Sequence, residues 1–182
     1  IDTGAKHDKL GDAYSPIPTE MSSVAQLLGG ERLRDLTKEQ FFGELPHLRG
    51  KVSDRALLRA VHFFSENERV LLGIEALKKK DFESFLQLER ESGLSSYMHL
   101  QNIYPSGAVI DQSAALALAW CERLLGEKGV FRIHGGGFGG TIQAFVPTSY
   151  AVHFKADMEL LTGAGSCRFL KIRDAGAVEI IL

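Results

Sequence analysis

The chain has 182 residues, 45% of them apolar, which is enough for one domain with a sizeable buried core. A formal net charge of −2 gives no electrostatic case for binding nucleic acid or a membrane surface, and no apolar run approaches the ~20 residues that span a bilayer. Cys121 and Cys167 match no metal or redox spacing, so we expect a reduced, cytoplasmic protein.

The chain opens without methionine, and residues 1–3 look like the end of a strand already under way, so we expect a fragment of a longer protein. Residues 17–126 are predicted to be mostly helical, because apolar residues recur there at helical spacing between capping signals. Pro46 is expected to close the second helix. The predicted helices span 19–28, 37–45, 53–79, a segment that restarts at Asp81, and 109–125.

Residues 130–182 mix short strands with one helix. Two strand patterns, VFRIH and TIQAFV, flank a glycine-rich segment. A helix follows from Pro147 to a stop at Gly163, and the patterns RFLKI and AVEIIL at 168–172 and 177–182 predict two closing strands. A run of helices followed by β-β-α-β-β predicts an α+β fold, with a helical layer packed on a four-stranded antiparallel sheet.

Between the first two strands lie five glycines within six positions, around one aromatic residue. Glycine permits positive φ and lets another group approach the backbone, but each surplus glycine costs folding entropy. One interpretation is a backbone surface for a phosphate or a sugar, and the other is a bulged hairpin with Phe138 filling the core. The residue pattern alone leaves both open. The segment comprises Gly135, Gly136, Gly137, Phe138, Gly139 and Gly140.

The stretch FRIHGGGFGGTIQAFVP resembles the third signature of the galactokinase branch of the GHMP kinases. Arg132 matches the arginine of that signature, whereas His134 and Thr141 stand where the family usually has threonine and cysteine. DTGAKHDKLGDAY is similar to the segment that leads to the family's sugar-contacting tyrosine, a position taken here by Tyr14. RAVHFFSENERV, at 59–70, is similar to the next helix of the family, so the resemblance covers nearly the whole chain in the family's order.

The resemblance implies that residues 1–182 form the C-terminal domain of a GHMP kinase with a ferredoxin-like arrangement. In that scheme 1–16 form a strand end and a substrate loop, 17–126 the helical part, and 130–182 the β-β-α-β-β part. The N-terminal ATP-binding domain, with the catalytic aspartate, lies outside this chain. We therefore expect no catalytic residue and no metal site in this fragment, which on its own should be inactive.

The function implied by the resemblance is transfer of the ATP γ-phosphoryl group to a sugar hydroxyl, with the anomeric hydroxyl of galactose as the expected acceptor. ATP and Mg²⁺ would be bound mainly by the N-terminal half, which is the expected partner together with the sugar. The glycine segment would form the phosphate and substrate loop, Tyr14 would contact the sugar, and Arg132 and His134 would support the loop. The alternative is a catalytically silent galactokinase-like module that senses sugar and ATP.

Two further features have competing interpretations. Arg59, His62, Glu66 and Arg69 share one face of the long helix. One interpretation is a polar strip that faces a cleft or the N-terminal half, and the other is a solvated, salt-bridged face. Because such patterns are common on solvated helix faces, we favour the solvated face. The segment SGLSS at 92–96 imitates part of an ATP loop but lacks its context, so we interpret it as a decoy or as a polar helix start near the cleft.

Overall fold

The structure is a computed structural model that describes residues 1–5, 11–172 and 176. Its described part contains seven α-helices and two β-strands. The helices are α1 (Gly11–Tyr14), α2 (Pro16–Leu27), α3 (Lys38–Leu48), α4 (Asp54–Lys78), α5 (Phe82–Ser95), α6 (Ser113–Leu125) and α7 (Ala151–Thr162). The strands are β1 (Val130–Ile133) and β2 (Ile142–Phe145). Short 3-10 turns occupy Leu33–Asp35 and Gly126–Lys128, and a π-helical turn, Ser96–Leu100, continues α5.

Side-chain caps set the beginnings of three helices. The Thr37 hydroxyl accepts the Gln40 N–H at 3.1 Å and the Gln40 side chain accepts the Thr37 N–H at 2.8 Å, which is the predicted capping box of α3. Ser53 caps α4 and Asp81 caps α5 in the same way, through backbone N–H groups three residues later. These local interactions explain why the predicted starts of α3, α4 and α5 lie within one residue of the observed ones.

Two predicted helix ends are corrected by the structure. Pro46 does not close α3, which continues to Leu48, because a proline removes only one hydrogen bond when so little helix follows it. The apolar helix predicted over 109–125 begins only at Ser113. Its start is set by Asp111, whose carboxylate accepts the Ser113 hydroxyl at 2.6 Å, and the preceding Val109 and Ile110 are exposed.

The described residues bury two apolar clusters. One lies between α2, α3 and α4 and includes Val24, Phe41 and Phe64. The rings of Phe41 and Phe64 stack with their centroids 5.0 Å apart. The other lies between α6, α7 and the two strands, around Cys121 and Met158. Helix α5 packs on α4 and on β1, and therefore connects the helical part with the sheet.

Within the described residues, the sheet contains two of the four predicted strands. Strands β1 and β2 pair antiparallel, and residues 1–3 add one bridge, Asp2 to Thr141, so the expected strand end at the start of the chain does pair. Residues 168–172 form no strand, and Phe169, Leu170 and Ile172 are 65%, 87% and 78% exposed. The strand predicted at 177–182 lies outside the described residues. An α+β fold is therefore confirmed, with two paired strands among the described residues, and the predicted four-stranded sheet is not confirmed.

A physical reason for the missing third strand lies in its neighbour. A strand requires a ladder of backbone hydrogen bonds to an adjacent segment. In the described part of the chain, the backbone contact near this region is a single bond from the Asp2 N–H to the Ser166 carbonyl at 3.0 Å, which does not extend to 168–172. Alternating apolar residues alone do not supply that ladder.

Among the described helices, none combines the length and the apolar composition that a membrane span requires.

Candidate functional site

The glycine loop, residues 134–141, connects β1 to β2 with an irregular backbone. Five of its residues, Gly135 and 137–140, adopt positive φ, with +77° at Gly135 and +85° at Gly137. Phe138 also has a positive φ of +58°, which is uncommon for a residue with a side chain and marks local strain. The loop is therefore much more contorted than a two-residue hairpin turn.

Three glycines of the loop are contacted closely by other parts of the same chain. A Cβ added at Gly136 would lie 2.8 Å from Cε1 of Tyr14, and one at Gly139 would lie 2.9 Å from the Cβ of Ala5. A Cβ at Gly137 would lie 2.6 Å from Nδ2 of Asn102 and would overlap the Asn102 carbonyl oxygen. Since real Cβ atoms do not come this close to other atoms, these glycines are required by packing within the protein.

Asn102 and Tyr14 hold the middle of the loop by hydrogen bonds. The Asn102 side-chain amide donates to the Gly136 carbonyl at 3.1 Å, and the Asn102 carbonyl accepts the Phe138 N–H. The Tyr14 hydroxyl donates to the Gly137 carbonyl at 2.8 Å. Sequence reasoning missed Asn102, because nothing in its neighbourhood signals a contact with a loop more than thirty residues later.

Phe138 fills the space beneath the loop. Its side chain is 4% exposed, and its ring meets the ring of Tyr14 edge-on with centroids 5.1 Å apart. This is what the hairpin interpretation predicts for the aromatic residue. Gly137, Gly139 and Gly140 are buried around it, so residues 137–140 belong to the folded interior.

The first part of the loop has a different environment. His134, Gly135 and Gly136 are exposed, and a Cβ at Gly135 would meet no atom within 4 Å. Within the described part of the chain, the N–H groups of Gly135 and Gly136 have no acceptor. This exposed edge, residues 134–136, is where the loop offers free backbone donors to a ligand.

Arg132 and His134 belong to one polar chain beside the loop. Nη1 of Arg132 lies 3.6 Å from a carboxylate oxygen of Glu89 and 3.9 Å from one of Glu66. Glu89 also accepts the side-chain amide of Gln143 at 3.2 Å, and the Gln143 oxygen lies 2.8 Å from Nδ1 of His134. The arrangement links both predicted supporting residues to the strands that carry the loop.

Of the four residues on the polar face of α4, Arg59 and His62 are buried and Glu66 and Arg69 are partly buried, so the interpretation as a solvated face is wrong. Arg59 is 2% exposed and His62 is 9% exposed, because α5 and the π-helical turn pack over them. Arg59 donates to Glu20 at 2.9 Å and to the Leu100 carbonyl at 3.2 Å. His62 lies 2.9 Å from the Ser95 hydroxyl through its Nδ1. The face is an internal polar layer between helices of the same chain.

Burial and hydrogen bonding shift two pKa values in this layer. Burial lowers the pKa of His62 to about 4, against the attraction of the nearby Glu66 carboxylate, so the imidazole is neutral at pH 7. Burial raises the pKa of Glu66, but hydrogen bonds from Ser92 and Arg69 outweigh it and hold that pKa below its ordinary value. The layer thus combines a neutral histidine with an ionised carboxylate.

Residues 92–96 do not start a helix, contrary to one of the two interpretations of SGLSS. They form the end of α5 and the first residue of the π-helical turn. Their serines are turned inward, with Ser92 donating to Glu66 and Ser95 contacting His62. A helix end with buried hydroxyl groups offers no N–H groups to a phosphate.

One open groove of the structure lies away from the glycine loop. A groove of about 1030 Å³ lies where α4 turns into α5, and its lining includes Lys79, Asp81, Arg90 and Gly129. Gly129 precedes β1, whereas the loop follows it. None of the predicted site residues lines this groove.

Comparison with known proteins identifies the relatives of this chain. No family model matches it. It is 34% identical over 155 residues to the galactokinase of Actinobacillus pleuropneumoniae serotype 5b (strain L20), which corresponds to 85% of this chain and 38% of that protein. It is 35% identical over 147 residues to the galactokinase of Glaesserella parasuis serovar 5 (strain SH0165), or 81% of this chain and 36% of that protein. The chain is galactokinase-like.

The fold agrees with this similarity. The crystal structure of Lactococcus lactis galactokinase, determined in complex with galactose, superimposes with a TM-score of 0.71 over 88% of this chain and 40% of that protein, at 18% identity. The sequence-based recognition of a galactokinase-like chain is confirmed. The galactokinase-like chain spans less than half the length of the relatives it matches.

Proposed function

We propose that this chain is the C-terminal domain of a galactokinase-like sugar kinase, which transfers the ATP γ-phosphoryl group to a sugar hydroxyl, with the anomeric hydroxyl of galactose as the favoured acceptor. The observation that carries the proposal is the similarity to curated galactokinases over 85% of the chain. The exposed edge of the glycine loop supports it, because free backbone N–H groups suit anionic or hydroxyl oxygens.

The contribution of this chain would be substrate positioning. Phosphoryl transfer depends mostly on positioning and on stabilising charge. Gly135 and Gly136 would face the phosphate or the sugar, Tyr14 would contact the sugar from the other side of Gly136, and Arg132 with His134 would hold the flanking strands. Tyr14 is 37% exposed, so part of its ring remains open to a ligand while its hydroxyl holds the loop.

ATP and Mg²⁺ enter the proposal differently. The exposed amides fit an anionic oxygen of ATP or of the phosphorylated product, and the rest of the ATP site would come from the N-terminal half of the protein. Among the described residues no three or more His, Cys, Asp or Glu side chains are grouped so that they could hold a metal ion. The Mg²⁺ that accompanies ATP would therefore be bound mainly by the N-terminal half as well.

The test is an assay of the natural protein that carries this chain. ATP-dependent phosphorylation of galactose and of a panel of other monosaccharides is measured, together with sugar and ATP binding by calorimetry. Turnover with galactose supports the proposal, and turnover with another sugar alone corrects the substrate. Binding of sugar and ATP without turnover indicates a sensing module instead. Absence of both binding and turnover contradicts the proposed function.

A further inference from the structure

Asn102 contacts the glycine loop at two peptide units that follow one another. Its side-chain amide donates to the Gly136 carbonyl at 3.1 Å, and its backbone carbonyl accepts the N–H of Phe138. The side chain is 2% exposed and lies against Gly137, where no Cβ could fit. One residue from the helical part therefore fixes the loop on both sides of Gly137.

Asn102 is itself held in a defined position. The π-helical turn Ser96–Leu100 precedes it, and Gln101 adopts a left-handed conformation with φ of +57° while donating its N–H to the Ser96 carbonyl at 2.8 Å. The Leu100 carbonyl accepts a hydrogen bond from the buried Arg59. The internal polar layer thus anchors the segment that ends in Asn102.

The bond to the Gly136 carbonyl determines which way one peptide plane faces. In a trans peptide the C=O and the N–H point in opposite directions, so a carbonyl directed at Asn102 directs the Gly137 N–H away from it. Glycine flanks this plane on both sides, and a flip of the plane meets little steric resistance there. A flipped plane would turn the carbonyl of the exposed residue Gly136 away from Asn102, and a carbonyl oxygen released in this way would repel an oxygen of the substrate at the exposed edge.

We propose that Asn102 is a positioning residue that locks the Gly136–Gly137 peptide plane with the Gly136 carbonyl held inward, so that this carbonyl does not face a substrate oxygen at the exposed edge of the loop. The proposal rests on the proposed function, since it takes the loop as the substrate surface. Asn102 itself touches no substrate in this account. Its role is to exclude the flipped plane, in which the loop would have the wrong polarity.

The test compares Asn102→Asp with Asn67→Asp in the natural protein. Asn67 is the control, because its side-chain amide also donates to a backbone carbonyl, that of Phe63 at 2.8 Å, but within α4 and on its exposed side. At pH 8 the carboxylate of Asn102→Asp cannot donate and repels the Gly136 carbonyl, so kcat/KM should fall about tenfold or more. Asn67→Asp should change it less than about twofold.

The pH dependence distinguishes positioning from general damage. A buried carboxyl has a raised pKa, so Asn102→Asp becomes protonated as the pH is lowered toward 5 and its O–H can again donate to Gly136. The ratio of kcat/KM between variant and wild type should therefore recover at low pH. A constant ratio, or a loss equal to that of Asn67→Asp, would overturn the proposal. Asn102→Ser, which is uncharged and too short to reach, should lose activity at every pH.

Hydrogen exchange gives a readout that does not depend on kinase activity. The amide of Phe138 should exchange about tenfold faster in Asn102→Asp and Asn102→Ser than in wild type, and should be unchanged in Asn67→Asp. Unchanged exchange in the Asn102 variants would overturn the positioning role. If the wild type phosphorylates no sugar, the proposed function fails, while the exchange data still decide whether Asn102 locks the loop.

Discussion

Alanine substitutions at Gly135 and Gly137 separate the ligand role of the glycine loop from its packing role. Both residues have a left-handed backbone, with φ of +77° and +85°. Their surroundings differ, since a Cβ at Gly135 meets nothing within 4 Å, whereas one at Gly137 collides with Asn102. The same substitution therefore tests open surface at one position and folded interior at the other.

The expected loss of stability follows from these surroundings. A left-handed backbone costs a residue with a Cβ about 1–2 kcal/mol, and this cost applies at both positions. At Gly137 the collision also breaks the hydrogen bonds that Asn102 makes to Gly136 and Phe138, at about 0.5–1.5 kcal/mol each. We expect Gly135→Ala to cost about 1–2 kcal/mol and Gly137→Ala about 2–5 kcal/mol, measured by chemical denaturation.

At Gly135 the loss of activity should be large although the loss of stability is small. The methyl group of Gly135→Ala projects into the space assigned to the substrate, so kcat/KM should fall more than about tenfold although the protein remains well folded. Gly163→Ala is the control, because Gly163 also has a positive φ, +97°, and open space around its Cβ, but lies at the end of α7. If Gly135→Ala keeps kcat/KM within about twofold of Gly163→Ala, the exposed edge of the loop is not the substrate surface.

Two further predictions concern the internal polar layer. Burial lowers the pKa of His62 from 6.5 to about 4. Between these two pH values the imidazole binds a proton in the unfolded chain but not in the folded chain. The free energy of unfolding should fall by up to ~3 kcal/mol as the pH drops from about 6.5 to about 4, and His62→Gln should flatten that slope in urea denaturation. If His62→Gln leaves the slope unchanged, the pH dependence of stability does not arise from His62. Glu20→Ala should lower the free energy of unfolding by about 3–5 kcal/mol, since it leaves the buried Arg59 guanidinium without its partner. Glu68→Ala, which removes an exposed ion pair, should lower it by less than about 1 kcal/mol. Similar losses in the two variants would show that burial of the ion pair makes no difference.

Helix beginnings could be predicted from the sequence because they are local. The capping box of Thr37 and Gln40 and the Ser53 cap each involve residues no more than three apart, and both are present in the structure. The strands beside the glycine loop were also predictable, since β-branched and aromatic residues there alternate with turn signals. The strand predicted at 168–172 failed because pairing depends on a distant partner, which a local pattern does not reveal.

The polar face of α4 shows a second limit of sequence reasoning. Arg59 and His62 follow the same spacing as a solvated salt-bridged face, and their burial depends on how α5 folds back over α4. Glu20, which neutralises Arg59, lies on α2 and is 39 residues away in sequence. Charge spacing along one helix reports which side chains share a face, but not what covers that face.

The glycine loop has a buried part, as the hairpin interpretation predicts, and an exposed edge, on which the proposed substrate surface depends. Gly136, Gly137 and Gly139 are required by close contacts with Tyr14, Asn102 and Ala5, so a surplus of glycine is not by itself evidence of a ligand. Glycine is needed wherever a group comes close to the backbone, whether that group belongs to the protein or to a substrate. What distinguishes them is the space into which a Cβ would project, and among these positions that space is open at Gly135. The proposed substrate surface therefore depends on Gly135 more than on the other glycines of the loop.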